Sequence, residues 1–129
     1  MDKPSDSIRE LAKRLLDIEA ARSDSPEEQS HTATRVVETL RVSLIRFAGP
    51  DGFHALMRRA LVLARAEAPE LSSVTVNPNG SIEGMDSIGA DGGEPAAAAV
   101  TAHLLWLLVT FIGEPMTMRL VREAWRELQ

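Results

Sequence analysis

Apolar positions recur at helical spacing in four stretches of this chain and run uninterrupted in a fifth. The uninterrupted one, residues 96–112, carries no charge, and its only polar groups are Thr101, His103, Thr110 and the Trp106 indole. A helix that is apolar on every side is either the centre of a bundle or a membrane span. At about 1.5 Å per residue this one reaches roughly 25 Å, short of a hydrocarbon core of about 30 Å. Its nearest charges, Glu94 and Glu114, are acidic, and no Lys or Arg lies between Arg65 and Arg119, whereas spans favour basic flanks. We therefore read a buried core helix, with the rest of the chain as its coat and no membrane partner.

The coat follows from the other four patterns. Residues 7–22 predict a first helix, with Ser7 and Glu10 at capping-box spacing and Ile8, Leu11, Ala12, Leu15, Leu16 and Ile18 on one side. Ser25-Pro26-Glu27-Glu28 marks the start of a second, which runs to Ala48 and stops at Gly49-Pro50. Its main stripe is Ala33, Val36, Val37, Leu40, Leu44 and Phe47, while Val42 and Ile45 form a second apolar face. A third helix is expected from about Asp51 to Ala68, closed by Pro69, with Phe53, Leu56, Met57, Ala60, Leu61, Leu63 and Ala64 inward. The short connection predicts a close antiparallel pair. The last helix, about 115–128, sets Thr117, Leu120, Val121, Ala124, Trp125 and Leu128 against a charged side that holds Arg119 and Glu123 at ion-pair spacing.

Between the third helix and the core helix the period changes. Val74 and Val76 alternate, Pro78 suits the second position of a turn and Gly80 tolerates positive φ, so residues 73–84 predict a small β-hairpin. A lone hairpin is marginal in water and must pack on the helices or pair with another chain. The glycines and aspartates of residues 84–93 read as a flexible loop. The expected fold is mainly α: a single domain over residues 1–129, five helices bundled around residues 96–112, with the hairpin inserted before them.

Composition changes this picture only in part. A chain of 129 residues buries about two-thirds of its unfolded surface without a staple. Cysteine is absent, which removes disulfides and thiolate chemistry. The first residues lack the apolar run of a signal peptide, so a cytoplasmic setting is expected. The net charge of −5 argues against nucleic acid as the main partner. Charge is uneven, however: six arginines and two acids lie between Arg35 and Arg65, but seven acids and no base between Ala66 and Met118. Opposite sides of the molecule should differ in sign.

Candidate chemistry is sparse. His103, Thr110 and Glu114 fall on roughly one side of the core helix, and imidazole titrates near neutrality, so a small-molecule or catalytic pocket there is the second functional reading. A core histidine satisfied by a neighbour is the commoner arrangement. No metal or cofactor is expected, since neither ligand spacing nor a phosphate loop is present. Arg41, Arg58 and Arg65 offer a third reading, nucleic-acid binding, but lack interleaved aromatic residues. What remains is surface: Val42, Ile45, Met118 and Trp125 are the candidate interface residues.

Two stretches, Gly52-Phe53-x-Ala55-Leu56-x-x-Arg59-Ala60-Leu61-x-Leu63-Ala64 and Val109-Thr110-Phe111-Ile112-Gly113-Glu114-Pro115 with Arg119-Leu120, resemble parts of uncharacterised bacterial helical proteins. The resemblance implies a bacterial source and no chemistry. The leading expectation is a non-enzymatic adaptor, regulator or assembly partner, self-associating as a dimer or docking to another protein.

Overall fold

The computed structural model describes residues 3–22, 32–85 and 90–128. It is a mainly helical domain with five helices and one small antiparallel hairpin, as expected. Helix α1 spans Asp6–Ala21 and buries Ile8, Leu11, Ala12 and Leu15. Its cap is Ser5, not Ser7: the Ser5 hydroxyl accepts from the Ile8 amide at 3.3 Å, and Ser7 is already helical. Both serines have an amide donor three residues on.

The helical span Thr32–Glu67 is broken at Gly49, whose φ of 76° and ψ of 168° no helix tolerates. We number its halves α2 (residues 32–48) and α3 (residues 50–67). Positive φ there is inexpensive only for glycine, and Pro50 supplies a preset φ to begin the next helix. Ala33, Val36, Val37, Leu40 and Leu44 of α2 are buried, as are Phe53, Met57, Ala60, Leu61 and Ala64 of α3. The Ser25-Pro26 start signal lies outside the described residues, as does the Phe47 side chain.

Pro69 ends α3 and opens a 3-10 turn, Pro69–Ser73, that buries Leu71. Strands β1 (Thr75–Val76) and β2 (Ile82–Glu83) then pair antiparallel, Thr75 opposite Glu83 and Val76 opposite Ile82. The turn closes through the Gly80 amide to the Asn77 carbonyl (2.9 Å) and the Asn77 amide to the Ser81 carbonyl (2.8 Å). Gly80 has φ +89°, and a Cβ there would lie 2.5 Å from Phe53 Cδ2. The hairpin is thus seated directly on the core of α3, which answers its marginal stability. Arg65 fastens the approach to it, donating to the carbonyls of Leu71 (3.2 Å) and Val74 (2.7 Å).

Helix α4 runs Ala90–Ile112, six residues longer at its start than the apolar run. Residues 90–93 are therefore helical and not loop; residues 86–89 lie outside the described set. Glycine and aspartate are weak evidence here, because the first turn of a helix has no internal partners for its amides to lose. From Ala96 to Leu108 the helix is buried all round, with only Ala98 and Trp106 partly open. It packs against α1, the Thr32–Glu67 span, the Pro69–Ser73 turn and the last helix. Burying Val100, Leu104, Leu105, Leu107 and Leu108 contributes roughly 7–15 kcal/mol before chain entropy is subtracted.

Gly113, at φ 87°, turns the chain into α5, Glu114–Ala124. Leu120 and Val121 face inward, and the buried Thr117 hydroxyl donates to the Gly113 carbonyl at 2.9 Å. This helix is shorter than its apolar period. Trp125 leaves helical geometry and Arg126–Leu128 form a second 3-10 turn.

Candidate functional site

His103 stands midway along α4 and is buried. Its Nε2 is hydrogen-bonded to Glu67 Oε2, at the last residue of α3. The other carboxylate oxygen, Oε1, receives Arg9 of α1 at 2.8 Å. Three helices therefore meet at one carboxylate. Burial pushes the Glu67 carboxyl up, but hydrogen bonds from His103 and Arg9 and their positive charge outweigh it and hold it below the ordinary value. An ionised carboxylate only accepts, so the proton of this bond sits on His103 Nε2.

The remaining ring nitrogen is Nδ1. Nδ1 is buried and has no partner among the described residues, as is true of the Thr101 hydroxyl. A carboxylate-backed imidazole is the arrangement a general base uses, but the base nitrogen must reach the proton it takes. Here that nitrogen faces the interior. As folded, Arg9–Glu67–His103 is a clasp joining α1, α3 and α4.

The residues grouped with His103 by helical spacing are elsewhere. Thr110 is exposed and turns its hydroxyl back to the Trp106 carbonyl at 3.0 Å. Glu114 is exposed in the first turn of α5. Seven residues of helix separate His103 from Thr110, about 10 Å along the axis, so the trio does not converge on one pocket. Among the described residues no group of three or more His, Asp or Glu side chains is placed to hold a metal ion.

A second buried polar contact lies near the C-terminus. The Trp125 indole donates to Glu19 Oε1 at 2.9 Å, and Arg22 reaches the same oxygen at 3.0 Å. Trp125 has no accessible surface, so it is a core residue and not an interface one. Leaving the helix at Ala124 swings its indole inward to a buried carboxylate, a position that continuing the helical wheel misplaces. Met118 and Ile45 are partly buried against the core, whereas Val42 is 55% exposed.

The arginines are divided in the same way. Arg41 is held by Glu38, whose carboxyl the Arg41 hydrogen bond keeps below its ordinary value against a smaller opposing effect of burial. Arg65 is spent on the hairpin approach. Arg58 is exposed and in none of these contacts. Of the three, Arg41 and Arg65 have their guanidinium groups engaged within the fold.

Among the described residues, the most exposed large apolar side chain is at the corner between α4 and α5. Phe111 is 68% exposed, and Ile112 and Met116 beside the Gly113 turn are 36% each. Sequence reasoning missed this corner because an unbroken apolar run does not say where its cover ends. Glu67 and Arg9 left no local signal. Glu19 did, as a charge four residues beyond Leu15 on the buried stripe of α1.

Compared with known proteins, the chain matches no family model, no curated protein and no solved structure.

Proposed function

We propose that this protein is a non-enzymatic interaction module, a small adaptor or assembly partner that docks through the α4–α5 corner. The observation that carries the reading is Phe111, an aromatic ring 68% open to water at the end of a helix whose preceding three turns are sheathed. Aromatic residues and methionine are enriched at the centres of protein interfaces, and contiguous bare apolar surface is otherwise a liability. The one described helix segment long and apolar enough to cross a membrane, Pro95–Ile112, is 61% buried inside the fold, which supports a role as core over a role as anchor. The clasp supports the same reading, since its free nitrogen is shut away from any substrate.

The test places a photo-crosslinking residue at position 111 in the source cell. A single adduct, identified by mass spectrometry and lost when Met116→Asp is added, is expected. No adduct, together with a chain that stays monomeric at every concentration, overturns the proposal.

A further inference from the structure

The identity of the docking partner follows from charge. In the apolar corner of Phe111, Ile112 and Met116, Glu114 is exposed and has no ion pair among the described residues, whereas Arg119, one turn beyond Met116, is paired with Glu123. A second open apolar position, Val62, is 61% exposed on α3. Ala55, Arg58, Arg59, Val62 and Ala66 are all exposed and fall within about one third of the helix circumference at 100° per residue. Arg58 and Arg59 likewise have no ion pair among the described residues. One apolar surface is therefore flanked by an unspent acid and the other by two unspent bases. Ala66, one turn beyond Val62, adds little bulk to the strip on that side.

We infer that the partner is a second copy of this chain, docked head to tail: the Phe111 corner of one copy sits on the Val62 strip of the next. The inference rests on the corner being a docking surface and names what covers it. Pairing like with like is disfavoured, because two corners set Glu114 against Glu114, and two strips set four arginines together. Opposed, each apolar centre is covered and each flank finds the opposite charge. Such a contact is heterologous, so it builds chains or closed rings and not an isologous dimer.

Complementation in sedimentation velocity tests this. Wild-type protein is expected to grow in mass with concentration. Phe111→Asp and Val62→Asp, each checked for an unchanged melt, should weaken self-association about 30-fold or more. An equal mixture of the two variants should recover a 1:1 dimer, because each retains the surface the other lacks. Glu114→Arg should weaken association, and adding Arg59→Glu in the same chain should restore it. A mixture that stays monomeric while wild type associates overturns the head-to-tail contact. So does a wild-type chain that is monomeric throughout. If in that case position 111 still crosslinks a different protein in the cell, the docking reading survives and only the identity of the partner is wrong.

Discussion

Two parts of one helix behave oppositely. Residues 96–108 of α4 are enclosed on nearly every side, whereas Phe111 and Ile112, with the same apolar character, are exposed. Hydrophobicity does not separate them: Phe111 is as apolar as any side chain in the enclosed part. The difference is the reach of the neighbours. Helix α1, the Thr32–Glu67 span, the Pro69–Ser73 turn and α5 all pack on this helix, yet their cover stops short of Phe111 and Ile112. An apolar side chain thus stabilises the fold in one stretch and is free for a partner in the next.

Leu104→Ala should break the enclosed part most severely. The side chain is fully buried, and its removal should cost about 2–5 kcal/mol in urea unfolding. A loss under 1 kcal/mol would mean that the core closes over the gap. Trp125→Phe comes next. It keeps an aromatic ring but removes the indole donor to the buried Glu19 carboxylate, at about 1–3 kcal/mol.

Glu67→Gln should cost less, about 1 kcal/mol, because the side chain is 32% exposed and solvent screens it. Its pH dependence has a definite sign. The folded-state carboxyl lies below its unfolded value, so its stabilisation is present above the unfolded carboxylate range and is lost as pH falls through the folded one. The gap between wild type and Glu67→Gln should therefore close on acidification along a pH series of urea melts. A gap that widens contradicts the clasp. Phe111→Ala should have the smallest effect on folding, within about 0.5 kcal/mol, while weakening association. A large loss of stability instead would show that Phe111 is core and that the two parts of α4 are alike.

Much of the architecture was legible because periodicity reports which way a helix faces. Gly49-Pro50 and Pro69 break the chain where expected, and Asn77-Pro78-Asn79-Gly80 makes the turn its residues suggest. Boundaries set by competing local signals were less secure. Ser5 and Ser7 both have cap chemistry, and the folded chain uses Ser5. At residues 90–93 composition pointed to a loop, but the first turn of a helix accepts poor formers at small expense. The site was hardly legible. The partner of His103 is 36 residues away in sequence, at Glu67, and no spacing rule links a core histidine to the end of another helix.

The residues by themselves determined the five helices, the hairpin and the choice of residues 96–112 as the central rod, because each follows from local propensity and period. Tertiary structure alone decided that Glu67 and Arg9 meet His103, that Trp125 is core, and that the rod outruns its coat at Phe111. Those outcomes depend on where separate helices lie against one another, which is settled by summed packing across the whole domain and is written in no single stretch of chain.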